Sequence, residues 1–234
     1  MARLDSQTDP LPGAAFFDLD RTLLRRSSAL ALAGPFRRRG LIGRKALLRA
    51  ILWQVLFVAR GASGEAVRRA AEEGLVVLRG MTPAELEELV ADALEPVLRP
   101  LVYAEPVELA ARHQERGEPV YIVSAALQEI VDALARDLGF DGAIGTVAEV
   151  ADGRYTGRTL HARHAEGKAA AVRELAQREG LDLAASTAYS DSHTDLPFLE
   201  AVGHPIVVNP DRQLRRIAAE RGWPVLRFRT AHAA

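Results

Sequence analysis

The sequence contains no cysteine. Disulfide bonds, thiolate nucleophiles and cysteine-ligated zinc sites are therefore excluded, and a reducing compartment suits such a chain. The opening residues, MARLDSQTDPLPG, place acidic and polar side chains where a signal peptide carries its apolar run. We therefore expect a cytoplasmic protein.

Long hydrophobic runs and a large net charge are also missing. The most apolar stretch, residues 46–59, includes Arg49 and Gln54, so it is too short and too polar to span a bilayer. The formal net charge is −1, which provides no overall field for nucleic acid or an acidic membrane. With 234 residues, 48% of them hydrophobic and 26% charged, the chain can form a globular core domain and a smaller second domain.

Acidic residues are absent from residues 21–64, which hold ten basic ones. The apolar stretch 46–59 lies inside this segment, and a buried helix flanked by solvated arginines is one interpretation of it. Peripheral contact with an acidic membrane or an anionic amphiphile is the other, because such partners favour a basic face beside an apolar one. The arginine run at residues 37–39 has no aromatic platform, so we predict no nucleic-acid partner. No pattern indicates an oligomeric state.

Short apolar runs that end in polar residues alternate with helical patterns. The predicted strands are residues 14–19, 119–123, 186–190 and 205–208, and the predicted helices are residues 105–116, 127–138, 166–179 and 212–220. This alternation predicts an α/β fold with a Rossmann-like parallel sheet covered on both faces. In such sheets the carboxyl ends of the strands meet at one crevice, where ligands bind. Asp18, Ser124 and Asp191 follow predicted strands, so we expect them to converge.

Two segments interrupt the alternation. Residues 23–100 show helical patterns and no convincing strand, and residues 82–85, Thr-Pro-Ala-Glu, form a capping box with proline at the first helical position. We predict that this segment is a helical cap domain over the crevice, and that residues 1–22 and 101–234 form the α/β core. Residues 147–158 are typical of a hairpin with an Asp-Gly turn.

Cleavage of a phosphate ester needs a nucleophile, a proton donor for the leaving group and positive charge near the phosphoryl oxygens. Asp18 and Asp20 lie two apart after a predicted strand and would face one side of an extended loop, with Thr22 next. Acid pairs also follow strands simply as solvated loop residues. Ser124 precedes a predicted helix, where serine serves either as an ordinary N-cap or as a phosphate ligand.

Further charged residues follow later strands. Lys168 is one of two lysines among 30 basic residues and lies in the first turn of a predicted helix, where its charge opposes the helix dipole. A compact cation at that place suits phosphate, and a solvated residue at a helix start is the alternative. Asp191 and Asp195 lie four apart across a turn. Beside Asp18 they would make an oxygen-rich site suited to Mg²⁺, although a capping turn also explains them.

Taken in order, the runs FFDLDRTLL, IVSA, EGKAAA and YSDSHTDLPFLE resemble the four motifs of the haloacid dehalogenase superfamily. The resemblance covers residues 14–210 and points to the phosphoserine-phosphatase-like branch, whose helical cap lies between the first and second motifs. It implies the haloacid dehalogenase fold and a Mg²⁺-dependent phosphatase that forms a phospho-aspartate. Transport ATPases of the superfamily would show a DKTGT sequence, which this chain lacks.

The resemblance also implies a role for each matching residue. Asp18 would attack phosphorus and become the phospho-aspartate. Asp20 would protonate the leaving oxygen and then deprotonate the hydrolytic water. The residues that would bind the phosphoryl oxygens are Thr22, Ser124 and Lys168.

A Mg²⁺ site is part of the same implication. Its ligands would be Asp18, the backbone carbonyl of Asp20, and Asp191, with Asp195 supporting the ion directly or through water. Dehalogenation of carbon centres needs neither leaving-group protonation nor a metal, so the acids at these positions favour phosphoryl chemistry.

The chain departs from the family pattern beside these motifs. Arg21 stands where glycine or serine is common, and it could touch the substrate; His193, beside Asp191, could do the same. Ser27 stands where phosphoserine phosphatases carry a glutamate that binds the substrate ammonium. The acid-free segment offers no replacement for that glutamate, which disfavours phosphoserine as the substrate.

We therefore predict a phosphatase for a small-molecule or amphiphilic phosphate ester, for example a lipid phosphate such as lysophosphatidate. The alternatives are a phosphoserine phosphatase or other small-metabolite phosphatase, a phosphotransferase or mutase, and a non-catalytic membrane-associated binding protein. His161 and His164 have no third metal ligand nearby in the sequence, and we expect both to be solvated.

Overall fold

The computed structural model describes residues 11–41 and 75–232. Its strands are β1 (Ala15–Phe17), β2 (Val120–Leu127), β3 (Gly142–Ala151), β4 (Arg154–His161), β5 (Thr187–Ser190), β6 (His204–Val208) and β7 (Val225–Leu226). They form one seven-stranded sheet in the order β4-β3-β2-β1-β5-β6-β7. Every neighbouring pair is parallel except β3 and β4.

Helices alternate with these strands along the chain. They are α1 (Ser28–Arg38), α2 (Pro83–Ala93), α3 (Ala104–Glu115), α4 (Gln128–Leu138), α5 (Glu166–Glu179), α6 (Leu196–Leu199) and α7 (Arg212–Arg221). Short 3₁₀ or π segments cover Val76–Leu78, Leu94–Leu98, Arg99–Leu101 and His193–Asp195. Among the helices of the described ranges, none is long and apolar enough to cross a membrane.

Adjacent residues of the central strand β1 point to opposite faces of the sheet. Phe17 belongs to a buried cluster that includes Leu134 of α4. Phe16 belongs to a second cluster, with Val172 of α5 and Leu214 of α7. Because helices bury both faces of a mostly parallel sheet, the predicted Rossmann-like α/β fold is confirmed.

The predicted hairpin is present as β3 and β4. Asp152 and Gly153 have φ values of 51° and 72°, the positive values that a tight primed turn requires. Before it reaches this turn, β3 pairs in parallel with β2, with Gly142 opposite Tyr121. The hairpin therefore extends the main sheet, whereas the sequence pattern placed it outside the strand–helix alternation. Strand β3 pairs with both β2 and β4, and the Asp-Gly turn pattern by itself indicates only the pairing with β4.

A short backbone pairing joins the segment before α2 to β4. The Gly80 N–H donates to the Tyr155 carbonyl at 2.9 Å, and the Tyr155 N–H donates to the Met81 carbonyl at 2.8 Å. Helix α2 then begins with the predicted capping box. Thr82 Oγ1 accepts from the Glu85 N–H at 3.2 Å, and the Glu85 carboxylate accepts from the Thr82 N–H at 2.7 Å.

In the described part of the region predicted as a cap, the named secondary-structure elements are all helical. Residues 23–41 and 75–100 hold helices and no named strand. The predicted domain boundaries after residues 22 and 100 stay predictions. The apolar stretch 46–59, with its suggested membrane or amphiphile surface, lies outside the described residues.

The structure corrects the predicted surroundings of Ser124. Strand β2 continues through this residue to Leu127, and α4 begins only at Gln128. Ser124 is therefore not at the helix N-terminus, and Leu127 is the N-cap. The strand continues because Val123 and Leu127 still pair with β3, across a bulge between them.

Candidate active site

The carboxyl ends of the three central strands meet at one crevice. β1 leads to Asp18, β2 carries Ser124 three residues before its end, and β5 leads to Asp191, and all three side chains are buried. The Asp18 N–H donates to the carbonyl of Tyr189 at 2.9 Å, which ties β1 to β5 at this level. The predicted convergence is therefore present, as expected at the switch region of a parallel sheet.

Lys168 forms two ion pairs in the centre of this crevice. It lies in the first turn of α5, is 3% exposed, and its Nζ donates to Asp18 Oδ1 at 2.5 Å and to Asp195 Oδ2 at 2.6 Å. Ser190 Oγ donates to the same oxygen of Asp195 at 2.7 Å. A buried ammonium between two carboxylates is not a solvated residue at a helix start. That alternative for Lys168 is wrong.

Burial raises the pKa of Asp18 to about 7. The Lys168 ammonium opposes this rise, and the carboxylates of Asp195 and Asp20 add to it. Asp18, Asp195 and Asp20 outnumber the one buried lysine beside them, and a further cation would offset this excess of acids.

Arg21 contacts Asp191 rather than projecting into solvent. Its Nη2 lies 2.7 Å from Asp191 Oδ2, and its backbone φ is 65°, a left-handed conformation that favours glycine. Burial raises the pKa of Asp191 well above its ordinary value; Arg21 lowers it, and the charge of Asp18 raises it again. Glycine would adopt this positive φ without strain, and the ion pair gives this arginine a partner.

The carboxyl group of Asp20 lies against the N-terminus of α1. The Ser28 N–H donates to Asp20 Oδ1 at 2.8 Å, so the carboxyl group accepts one of the free amides of that helix. Burial raises the pKa of Asp20, and the Ser28 hydrogen bond opposes the rise. Ser27, the position predicted to touch substrate, is the buried N-cap residue of the same helix.

Thr22 follows β1 and Ser124 lies on β2, and both have buried hydroxyl groups. Thr22 is 0% exposed, and its Oγ1 has no hydrogen-bond partner in the part of the chain that the structure describes. Ser124 Oγ accepts from the Ala126 N–H at 3.1 Å, which leaves its own proton free to donate. A buried hydroxyl without a partner is destabilising unless a ligand satisfies it.

The loop after β5 is held by a residue that the sequence interpretation missed. Asp211 Oδ2 accepts from the His193 N–H at 2.8 Å and lies 2.8 Å from His193 Nδ1. The Asp211 N–H donates to the Asp191 carbonyl at 2.9 Å. His193 is therefore oriented by Asp211, and its predicted contact with substrate stays a prediction. Ser28 and Ser190 were missed as well; their hydrogen bonds go to Asp20, eight residues earlier, and to Asp195, five residues later.

The two histidines of the HARH segment differ from each other. His161 is exposed at the end of β4, as expected. His164 is half-buried, and burial lowers its pKa, with repulsion from Lys168 as the second cause. The prediction of a solvated residue is therefore wrong for His164, which lies close enough to the crevice to feel the Lys168 charge.

Residues 15–200 match the haloacid dehalogenase-like hydrolase family. The chain belongs to this family. A probable phosphatase of Mycobacterium tuberculosis is 46% identical over 92% of this chain and 75% of that protein. A phosphoserine phosphatase of the same species is 38% identical over 96% of this chain and 73% of that protein. A histidinol-phosphatase of Neisseria meningitidis is 30% identical over 92% of this chain and 98% of that protein.

Solved structures agree with this haloacid dehalogenase-like fold. A protein of unknown function from Bordetella pertussis has a TM-score of 0.81 at 34% identity, over 93% of this chain and 99% of that one. A phosphoserine phosphatase solved as a phospho-aspartyl intermediate analogue has a TM-score of 0.66 at 17% identity, over 93% of both chains, and shows the fold alone. With its phosphatase relatives, this haloacid dehalogenase-like hydrolase is a phosphoric monoester hydrolase.

Phosphatases of the haloacid dehalogenase family are generally metal-dependent, and the donor set here fits a small hard cation. Asp18, Asp191 and the Asp20 carbonyl supply oxygen, the ligand that Mg²⁺ prefers. Burial is the main cause of the raised pKa of both carboxyl groups, and repulsion from neighbouring carboxylates adds to it. Among residues 11–41 and 75–232, no three carboxylate or imidazole side chains are grouped as ligands. Asp195 contacts Lys168, and its direct ligation stays a prediction.

Proposed function

We propose that this hydrolase cleaves a phosphate monoester through a phospho-aspartate on Asp18, with Mg²⁺ bound beside it. The observation that supports the proposal best is the buried pairing of Asp18 with Lys168 at the end of β1. Lys168 binds Oδ1, so we assign the nucleophilic role to Oδ2, which has no hydrogen-bond partner among the residues that the structure describes. A relative in fold was solved as a phospho-aspartyl analogue, which agrees with this role.

In the first step, Asp18 Oδ2 forms a bond to phosphorus as the bond from phosphorus to the ester oxygen breaks. Asp20 donates its proton to that leaving oxygen, and its raised pKa keeps a proton available for the donation. In the second step, water attacks phosphorus, Asp20 accepts a proton from the water, and the bond to Asp18 breaks. Phosphate is released, and both carboxyl groups return to their starting states.

The remaining residues would bind the phosphoryl oxygens and offset their charge. Lys168 supplies a fixed positive charge, while the Thr22 and Ser124 hydroxyls supply hydrogen bonds. Mg²⁺, held by Asp18, Asp191 and the Asp20 carbonyl, would shield the anionic phosphate from the nucleophile's own charge. Asp195 and Ser190 position Lys168 between the two carboxylates.

Two interpretations of the substrate remain distinct. The names of the phosphoserine phosphatase and histidinol-phosphatase relatives favour a small amino-alcohol phosphate as the substrate. Ser27 argues against phosphoserine itself, because a serine replaces the glutamate expected to bind the ammonium group. The amphiphilic substrate was predicted from residues 46–59, which lie outside the described residues.

The mechanism is tested by phosphate release from a panel of monoesters, with Mg²⁺ or with EDTA. The panel includes p-nitrophenyl phosphate, phosphoserine, histidinol phosphate, sugar phosphates and lysophosphatidate. We expect release that needs Mg²⁺ and that falls by at least about 1,000-fold in Asp18→Asn. Asp152→Asn makes the same chemical change in the exposed hairpin turn and serves as the matched control.

Rapid acid quenching in the presence of a ³²P-labelled ester separates hydrolysis from other uses of the aspartate. The wild type should trap label on the protein, and Asp18→Asn should not. Release that persists in Asp18→Asn, or in EDTA, would overturn the proposal. Transfer of the label to an added alcohol in preference to water would instead indicate a phosphotransferase.

A further inference from the structure

A cavity of about 610 Å³ lies on the face of the sheet that α3 covers. Its walls come from the end of α3, the beginning of β5 and β6, and residues 222–224 before β7. No residue to which a catalytic, metal-binding or phosphate-binding role is given above lines it, within the part of the chain that the structure describes. The phosphatase reaction therefore leaves this cavity without a use.

The cavity wall is cationic. Arg112 and Arg116 contribute guanidinium groups from α3 and its end, and His204 contributes an imidazole from the start of β6. No carboxylate of the described residues lines the cavity. Arg116 is already paired, since its Nε lies 2.9 Å from the carboxylate of Glu118 outside the wall. Arg112 therefore carries the charge that an entering anion would meet.

Part of the cavity lining is apolar. The indole of Trp223 is half-buried in it, and the Arg221 guanidinium carbon lies over the ring, 4.9 Å from its centroid. Leu109, Pro205 and Ile206 add aliphatic surface to the lining. Because Arg221 lies over one face of the indole, a flat ligand would pack against the remaining exposed surface of the ring.

The cavity floor is a buried polar pair. His113 Nε2 lies 2.7 Å from the Tyr189 hydroxyl, and both residues are buried. The Tyr189 ring stacks on Phe17 at 4.3 Å, and its carbonyl accepts from the Asp18 N–H. The floor is thus rigid, and it is continuous with the backbone that carries the nucleophile.

We propose that this cavity is a second binding site, which takes a small organic anion with a flat apolar body, such as an aromatic carboxylate. The anionic group lies against Arg112, and the ring lies against Trp223. This site does not depend on the phosphatase mechanism, because none of its residues takes part in phosphoryl transfer.

The probe is 2-naphthoate, measured by titration calorimetry against the whole chain. 2-Naphthol has the ring without the charge, and acetate has the charge without the ring. We expect one site for 2-naphthoate and binding at least about tenfold weaker for either partial ligand. Arg112→Gln and Trp223→Leu should each weaken 2-naphthoate binding by about tenfold or more.

Two further variants distinguish this cavity from other binding. Arg136→Gln removes an exposed arginine from α4, outside the cavity, and should leave the affinity unchanged. Ser124→Ala alters the phosphate crevice and should leave it unchanged as well. The absence of binding, or binding that ignores Arg112→Gln and Trp223→Leu, would overturn the proposal. Loss of binding in Ser124→Ala would overturn it too, because the probe would then occupy the active site.

Discussion

Arg21 Nη2 lies 2.7 Å from Asp191 Oδ2, so a cation of the first motif neutralises a buried acid of the last one. The two residues are far apart in the sequence, and both loops leave the sheet at its carboxyl edge. Arg21 takes a left-handed conformation to make this contact. Asp191 is a proposed Mg²⁺ ligand, so its ion pair with Arg21 competes with metal binding.

We expect Arg21→Gly to bind Mg²⁺ about tenfold more tightly than the wild type, because the ion need not displace a guanidinium from Asp191. Glycine also adopts the positive φ without strain. The measurement is Mg²⁺ titration calorimetry without substrate. Arg26→Gly removes a neighbouring exposed arginine and controls for the general loss of positive charge. Equal or weaker Mg²⁺ binding by Arg21→Gly would contradict the competition between Arg21 and the metal.

Lys168 is expected not to tolerate arginine. Its ammonium fits between Asp18 and Asp195 in a fully enclosed position, where a planar guanidinium is too large. Lys168→Arg should lower kcat by about 100-fold or more, and Lys168→Met should lower the free energy of unfolding by about 3–5 kcal/mol. Steady-state kinetics and urea denaturation measure the two effects. Lys45→Arg makes the same substitution at the chain's other lysine and serves as the control. Near-normal turnover by Lys168→Arg would contradict this prediction, because a positive charge of either shape would then suffice for catalysis.

Replacement of Asp20 is expected to separate the two chemical steps. With p-nitrophenyl phosphate the leaving group departs without protonation, but the hydrolytic water still needs a base. Asp20→Asn should therefore release a rapid burst of nitrophenolate, close to one per enzyme, followed by turnover about 100-fold slower than in the wild type. An alkyl phosphate should give no burst. Stopped-flow absorbance and quenched-flow phosphate assays test this, and a burst with both esters would contradict the role of Asp20 as the acid.

Glu118 connects pH to stability. Its hydrogen bond from Arg116 is the main reason that its pKa falls from 4.5 to about 2, and its contact with His113 adds to the effect. A carboxyl group with a depressed pKa stabilises the fold above its unfolded pKa and loses that contribution as pH falls through the folded value. Glu118→Gln should therefore lower the free energy of unfolding by about 1–2 kcal/mol at pH 7, after allowance for solvent screening.

The difference between wild type and Glu118→Gln should shrink as pH falls from 4.5 toward 2. Urea denaturation across this range provides the measurement. Glu179→Gln breaks an exposed pair with Arg178 and should change stability by less than about 0.5 kcal/mol. A Glu118→Gln deficit that stays constant from pH 7 to low pH would contradict the electrostatic explanation.

Much of the core was predictable because its signals are local. The strand before Asp18, the capping box at Thr82 and the turn at Asp152-Gly153 each depend on neighbouring residues alone, and each is present. Ser124 was misplaced for the opposite reason. Strand β2 continues past Ser124 because β3 pairs with it, and β3 follows β2 in the sequence only after helix α4.

The sequence by itself determined the chemistry available to this protein, because the types of residue and their order along alternating strands and helices specify a phosphatase site at one edge of a sheet. Only the tertiary structure decided which basic side chain pairs with which carboxylate. Lys168 faces Asp18 and Asp195, while Arg21 faces Asp191. These pairings join loops that are distant in the sequence, and ion pairs of that kind depend on distances and burial that only the packed sheet sets.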